Sequence, residues 1–175
     1  HELNASTFSA RVAASTGASL SACALAGLST LSGPLHGAAV SGVLAFLSEA
    51  KLLGVDVAVR ARLDEGRALP GFGHPLYPGG DPRATELLAR FEVPEKLAGI
   101  LSAVANESGE YPNVDFAIGA MAQRYGLPTD AAFSVFAIGR SIGWLGHAME
   151  QIETGSLIRP RARYAGQVPD SAARP

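Results

Sequence analysis

The stretch FAIGRSIGWLGHAMEQ, residues 136–151, indicates the fold more clearly than any other part of the chain. Phe136, Arg140 and Trp144 recur at four-residue spacing, which places their side chains on one face of an α-helix. The pattern predicts a long helix over about Ala132–Glu153, begun by a turn at Gly126–Asp130. The segment that follows, LIRPRARYAG, is predicted to be extended or irregular.

Helical patterns also fill the chain before this stretch. A run rich in Ala, Leu and Ser predicts one helix from Ala5 to about Leu31, with Asn4 and Ser6 as candidate N-caps. No strand-like alternation competes, so the chain is predicted to be all-α. The further predicted helices cover about 37–53, 55–65, 81–91, 94–110 and 114–125.

The overall composition excludes several classes of protein. The chain has 175 residues, of which 47% are hydrophobic and 17% are charged, so it can form a sizeable core. A net charge of −2 with mixed signs does not suggest a nucleic-acid or membrane-surface partner. Apolar runs are interrupted well before the roughly 20 residues of a membrane span. The one cysteine, Cys23, lies in an Ala-rich run and is interpreted as a small buried residue in a reducing compartment.

One long loop, ALPGFGHPLYPGGDPRA at residues 68–84, is too rich in proline and glycine for regular structure. Long ordered loops in compact proteins tend to be functional. His74 lies within it between glycines, which let backbone amides approach a ligand, and is a candidate site residue. His36 is a second candidate, because an imidazole at a helix start stays neutral and can donate a hydrogen bond. A structural role is the alternative for each, and is preferred for His147 inside the long helix.

Asp115 in YPNVDFAIG is the strongest carboxylate candidate. It opens an apolar helix after a turn, where desolvation could raise its pKa toward that of a general base. The alternative is a simple N-cap aspartate. Three arginines, Arg83, Arg140 and Arg159, are candidates to bind carboxylates, because the planar guanidinium group can donate two parallel hydrogen bonds to one carboxylate. Together they suggest a small di-acid ligand, although Arg159 could equally belong to a basic surface tail.

The sequence lacks the motifs of several other site classes. It has no HExxH, CxxC or EF-hand spacing, so no metal site is predicted. A P-loop, a dinucleotide fingerprint and GxSxG are also absent, and no bound cofactor is predicted.

The motifs resemble, in order, those of the citrate synthases. They are HELNASTF, SGPLHG, GFGH with DPRA downstream, YPNVDF, and FAIGRSIGWLGHAMEQ followed by LIRPRARY. The resemblance covers residues 1–166 and implies condensation of acetyl-CoA with oxaloacetate to give citrate and CoA, in the tricarboxylic acid cycle. It implies Asp115 as the base, His36 as the residue bonded to the thioester oxygen, and His74 as the acid that protonates the ketone. His1, Arg83 and Arg140 then bind oxaloacetate.

The resemblance also implies an architecture. Residues 1–34 and 131–166 would belong to a large helical domain, 35–130 to a small domain that closes over the substrates, and 167–175 to a tail. Arg159 would reach the site of a neighbouring subunit in a homodimer. The absence of a starting methionine leads us to expect that this chain is a piece of a longer protein and lacks its N-terminal portion. The lack of a targeting signal and the single cysteine lead us to expect a cytoplasmic location.

Other readings stay open at this stage. A 2-methylcitrate synthase would use propionyl-CoA with the same catalytic residues. A non-catalytic paralogue that binds CoA esters is favoured by Pro75, Pro78 and Val40, which stand where relatives usually carry two basic residues and an asparagine. Retention of both histidines and the aspartate argues for an enzyme.

Overall fold

The computed structural model describes residues 3–33, 36–37, 39–128 and 130–166, without the side chains of Ala39 and Val40. His1 and the predicted tail from Gln167 lie outside the described residues. Within them the regular secondary structure is helical, apart from an isolated bridge between Phe72 and Pro112, and the all-α prediction is confirmed. The helices are α1 (Ala5–Ser15), α2 (Leu20–Leu31), α3 (Ala39–Leu53), α4 (Val55–Asp64), α5 (Pro82–Leu88), α6 (Glu95–Glu107), α7 (Val114–Arg124) and α8 (Ala131–Thr154).

The single helix predicted over residues 5–31 is wrong, because the chain breaks it into α1 and α2. Gly17 has a φ of 80°, a left-handed conformation that ends α1. The Ser19 hydroxyl then accepts a hydrogen bond from the N–H of Ala22 and caps α2. Of the two candidate caps for the first helix, Asn4 is the N-cap, whereas Ser6 is a buried residue within the helix. The break folds α2 back against α1.

The later helices begin and end close to their predicted positions. Asp81 caps α5 and Pro82 takes its first position, where the missing proline N–H has no partner to lose. Gly155, with a φ of 61°, ends α8. Asp130 precedes α8, but its side chain makes no capping hydrogen bond. Residues 156–166 form no regular element, as predicted.

Two groups of helices have separate cores. Helices α3, α4, α6 and α7 surround a core that includes Phe46, Val59, Ile100, Val104 and Phe116, all of them at most 2% exposed. Helices α1, α2 and α8 surround a second core of small residues, Leu31 and the fully enclosed indole of Trp144. The thiol of Cys23 is buried in this second core, as predicted.

A third, smaller cluster joins the two groups. Ile118 and Ala122 of α7 pack on Ala132 of α8, and Val135 and Phe136 border them. This contact joins the middle and C-terminal part of α7 to the first turn of α8. Among the described residues, no helix is long and apolar enough to cross a membrane.

The contact between α2 and α8 gives a stability prediction. A Cβ on Gly27 would lie 2.7 Å from Cδ2 of the buried Trp144 ring, which has no room to shift. Gly27→Ala is therefore expected to lower the free energy of unfolding by roughly 1–3 kcal/mol in urea denaturation.

Gly99→Ala in α6 is the matched control, since no heavy atom lies within 4 Å of the added Cβ. It is expected to stabilise the protein by about 0.5–1 kcal/mol, because alanine is the better helix former. Equal effects of the two substitutions would contradict close packing at Gly27.

Candidate active site

A cavity of about 290 Å³ lies where the two helix groups meet. Polar and charged side chains from six separate parts of the chain line it together with a few apolar ones. The lining comprises Leu3, Asn4, His36, Gly37, His74, Leu76, Tyr77, Arg83, Val114, Asp115, Phe136 and Arg140. The structure thus brings together five of the seven residues selected from the sequence.

His36 is held from the side of α1. Its Nε2 lies 2.8 Å from the Ser6 hydroxyl and accepts a hydrogen bond of 3.3 Å from the Ser6 backbone N–H. Because a neutral imidazole nitrogen that accepts carries no proton, the proton of His36 lies on Nδ1. Burial lowers the pKa of His36, and the nearby positive charge of Arg140 lowers it further. His36 is thus a neutral donor through Nδ1.

Asn113 joins the His74 loop to the start of α7. The side-chain oxygen Oδ1 of Asn113 accepts hydrogen bonds from the backbone N–H groups of Asp115 and Phe116. Asn113, rather than Asp115, is therefore the N-cap of α7. Its amide donates to the carbonyl of Gly73 at 3.0 Å, and its backbone N–H donates to Gly71. The alternative of Asp115 as a simple N-cap is therefore wrong, and its carboxyl group is available for another role.

The buried Asp81 carboxylate connects the end of the same loop to two helices. Its Oδ1 accepts from Nε and the backbone N–H of Arg83, and its Oδ2 accepts from Nη2 of Arg83. Oδ2 also accepts from the Val114 N–H at 2.9 Å. Burial on its own would raise the pKa of Asp81, but these hydrogen bonds outweigh it and hold the pKa below its ordinary value. Arg83 is fixed as a charged group at the cavity wall.

Asp115 is the second residue of α7 and faces this charged environment. Desolvation raises the pKa of its carboxyl group above the ordinary value, and the negative charge of Asp81 acts in the same direction. Arg83 and His74 oppose that rise without reversing it. A carboxylate with a raised pKa is a stronger base than an exposed aspartate, as proton abstraction requires.

His74 projects from a tight turn of the loop. The N–H of Leu76 donates to its Nδ1 at 3.1 Å, so a neutral ring carries its proton on Nε2. Its ring lies against that of Tyr77, with centroids 4.8 Å apart. The cavity thus has two histidine donors, each with its other ring nitrogen held by the backbone.

Arg140 provides the second guanidinium of the cavity. Among the described residues, its Nε is the buried side-chain nitrogen left without a hydrogen-bond partner. Burial lowers the pKa of Arg140, and the like charge of Arg83 lowers it further. A buried charged donor without an acceptor is costly, and an anionic ligand would supply the acceptor.

The remaining candidates lie elsewhere. Arg159 is exposed in the irregular segment after α8 and does not line the cavity, and His1 lies outside the described residues. His147 has a structural setting, as preferred from sequence, since its Nδ1 lies 3.2 Å from Arg11, which also pairs with Glu150 at 2.7 Å. No group of metal-ligating side chains is found in the described part of the chain.

Sequence reasoning missed the residues that hold the site in place. Ser6 and Asn113 contact His36 and the His74 loop across 30 and 40 residues of sequence. Asp81 was placed only at the start of the helix predicted over about 81–91. Each of these residues lies within one of the motifs that carry candidate residues, so the motifs gave a signal, but the long-range contacts are visible only in the fold.

Comparisons with a family model and with curated proteins identify the same family. The family model described as citrate synthase, C-terminal domain, matches residues 1–161. The chain is 40% identical to the citrate synthase of Haloferax volcanii over 95% of its length and 38% identical to citrate synthase 2 of Bacillus subtilis. It is 34% identical to 2-methylcitrate synthase 2 of Corynebacterium glutamicum. It covers 47%, 48% and 46% of these proteins, and so spans about half the length of the curated relatives it matches.

Solved structures give the same picture. A ternary complex of carboxymethyl coenzyme A and oxaloacetate with citrate synthase from Thermoplasma acidophilum superposes with a TM-score of 0.75 and 33% identity. The match covers 96% of this chain and 49% of that one. Citryl-CoA lyase from Hydrogenobacter thermophilus superposes with a TM-score of 0.79 and 27% identity, over 97% of this chain and 73% of that one.

The hydrogen bonds to Asp81 give a pH-dependent prediction. A depressed pKa in the folded state means that the carboxylate stabilises the fold above its unfolded-state pKa near 3.8. This stabilisation is lost as the pH falls through the lower folded-state pKa. Asp81→Asn is expected to lower the free energy of unfolding by about 2 kcal/mol at neutral pH. This loss is expected to become progressively smaller as the pH falls below the pKa of aspartate in the unfolded chain.

Urea denaturation at neutral and acidic pH measures this difference. Glu86→Gln on the same helix is the control, because Glu86 and its partner Arg90 are both 76% exposed and their pair should contribute little. A difference between wild type and Asp81→Asn that stays constant with pH would contradict the assignment.

Proposed function

The chain belongs to the citrate synthase family, and from this premise we propose that it joins the acetyl group of acetyl-CoA to oxaloacetate, giving citrate and free CoA. One observation carries the proposal. A basic carboxylate, two histidine donors and two arginines converge on one cavity of about 290 Å³, and among the described residues Arg140 Nε has no acceptor. This is the set of groups needed to deprotonate a weak carbon acid beside a bound dicarboxylate.

The first step assigned to the site is enolisation. Asp115 removes a proton from the acetyl methyl group, and the electron pair moves onto the thioester oxygen. The Nδ1–H of His36 donates a hydrogen bond to that oxygen and stabilises its developing negative charge. The raised pKa of Asp115 and the lowered pKa of His36 support these roles, since one group must accept a proton and the other must donate without being charged.

Condensation and hydrolysis follow. The enolate carbon attacks the ketone carbon of oxaloacetate and forms the new carbon–carbon bond, while the ketone oxygen takes the proton from Nε2 of His74. The proton that Asp115 took from the methyl group then returns to His74, which restores both groups. The product is citryl-CoA. Water then cleaves the thioester of citryl-CoA, which releases citrate and the CoA thiol and makes the overall reaction irreversible.

The two arginines bind the carboxylates of oxaloacetate in this proposal. Arg83 uses Nε and Nη2 on Asp81, which leaves its remaining N–H groups for a ligand. Arg140 has its Nε free of partners within the described residues. We propose that His1 completes this binding set and that Arg159 contributes to the site of a second subunit, as the resemblance of their motifs implies.

Two other substrate assignments use the same groups. Propionyl-CoA in place of acetyl-CoA would make the protein a 2-methylcitrate synthase, the activity that the name of the Corynebacterium relative gives. Citryl-CoA cleavage is the reverse of condensation without hydrolysis, and the solved lyase is the structure of which this chain covers the larger share. A non-catalytic CoA-ester binder is disfavoured by the arrangement of Asp115 beside both histidines.

The wider setting is also proposed. The two helix cores support the division into a large domain, residues 1–34 and 131–166, and a small domain, residues 35–130. Their meeting at the cavity is suited to closure over substrates. We propose a homodimer in the cytoplasm with a role in the tricarboxylic acid cycle, on the strength of the curated relatives named citrate synthase.

Thiol release by the full-length protein tests the function. Acetyl-CoA with oxaloacetate is expected to yield free CoA, and Asp115→Asn is expected to lower kcat by about 10²–10⁴-fold, because the variant has no general base. Asp64→Asn on the surface of α4 is the matched control and should leave the rate unchanged. Replacing acetyl-CoA by propionyl-CoA identifies the preferred acyl group.

Citryl-CoA offered as the substrate distinguishes a synthase from a lyase. A synthase hydrolyses it to citrate and CoA, whereas a lyase gives acetyl-CoA and oxaloacetate without thiol release. A folded protein that acts on none of these three CoA esters would overturn the enzyme assignment.

A further inference from the structure

We infer that the indole N–H of Trp144 is a positioning group that acts through the hydroxyl of Ser6 to keep the proton of His36 on Nδ1. The inference rests on the proposed function, because it assigns a role to the tautomer of the residue that would stabilise the enol. Trp144 itself does not line the cavity.

The three groups form a chain of hydrogen bonds from the core to the cavity. Nε1 of Trp144 donates to Oγ of Ser6 at 3.1 Å, and this contact is buried. Oγ of Ser6 lies 2.8 Å from Nε2 of His36. The chain connects residues up to 138 positions apart and links α8 and α1 to His36, which lies just before α3.

The Ser6 hydroxyl has two acceptors competing for its single proton. Oδ1 of Asn4 lies 2.9 Å away and also accepts the Thr7 N–H, which fixes it as the oxygen of the amide. If the Ser6 proton goes to Asn4, the serine oxygen is left to accept from a protonated Nε2 of His36. If it goes to Nε2, the histidine proton must be on Nδ1.

The Trp144 N–H biases this competition. An oxygen that accepts one hydrogen bond becomes a stronger donor and a weaker second acceptor, because hydrogen bonds in a chain polarise one another. Donation from Trp144 therefore favours Ser6 as donor to Nε2 and disfavours Nε2–H. The Ser6 backbone N–H acts in the same direction.

The position of Trp144 suits this role. The ring is 2% exposed and lies so close to Gly27 that an added Cβ would come within 2.7 Å of it. An indole packed in this way cannot withdraw its N–H from Ser6 without repacking the core. The close packing of the core formed by α1, α2 and α8 thereby helps to determine which ring nitrogen of His36 carries the proton.

Imidazole ¹⁵N–¹H correlation spectra of the ¹⁵N-histidine-labelled protein measure the tautomer directly, at a mildly alkaline pH. Wild type is expected to show His36 as the Nδ1–H form. Trp144→Phe is expected to raise the ratio of Nε2–H to Nδ1–H by about fivefold, the change that loss of one typical hydrogen bond produces. The signals of His36 are identified by their loss in His36→Gln.

Two further proteins separate the hydrogen bond from packing. Trp144 is the sole tryptophan of the 175 residues, and a recoded codon at this position can introduce its benzothiophene analogue, in which sulfur stands in place of the N–H. This variant preserves the ring shape and should show the same shift, which keeps the test decisive if Trp144→Phe does not fold. Phe46→Leu loosens the other core and should leave the His36 tautomer unchanged.

An unchanged tautomer ratio in the benzothiophene variant would overturn the inference, as would an equal shift in Phe46→Leu. These outcomes are independent of thiol release. An inactive protein whose His36 tautomer responds to Trp144 would remove the proposed function and leave the hydrogen-bond chain, whereas an active protein with an unresponsive tautomer would do the reverse.

Discussion

The buried carboxylate of Asp81 is the point on which the candidate site depends. It accepts hydrogen bonds from Arg83 on α5 and from Val114 at the start of α7, and it lies at the end of the loop that carries His74. Asn113 closes the other side by bonding Gly73 and capping α7. With these bonds in place, the base, one histidine and one arginine have fixed relative positions before any ligand binds. Such preorganisation is what electrostatic catalysis requires.

The other half of the cavity depends on a different core. Ser6 at the start of α1, whose hydroxyl also bonds Asn4, holds His36, and α8 supplies Arg140. The two halves differ in charge. Around Asp115, the positive Arg83 is balanced by Asp81, whereas Arg140 lacks an acceptor for Nε among the described residues. The excess positive charge therefore lies on the side of α8. A dianion bound between Arg140 and Arg83 would contact both halves of the cavity.

Much of this arrangement could be predicted from sequence, but only where the determining signal is local. The helices from α3 onward begin and end near their predicted positions, because proline, glycine and apolar spacing act over a few residues. The break between α1 and α2 was missed, although Gly17 with its neighbouring polar residues marks it, because the Ala-rich composition on both sides favours one helix. The motif residues His36, His74, Asp115, Arg83 and Arg140 were identified and do meet. The supporting roles of Ser6, Asp81 and Trp144 were not, because each depends on a partner brought near by tertiary packing.

The position of the site between two cores also explains why its supports are hydrogen bonds rather than apolar contacts. Apolar packing is tolerant of small displacements, and the cluster of Ile118, Ala122 and Ala132 that joins the cores is small. A hydrogen bond loses strength within a few tenths of an ångström and selects one orientation of each group. Ser6 and Asn113 each receive or donate several such bonds at the margins of the cavity. The groups within each half are therefore fixed in orientation by hydrogen bonds, although only a small apolar cluster joins the two cores.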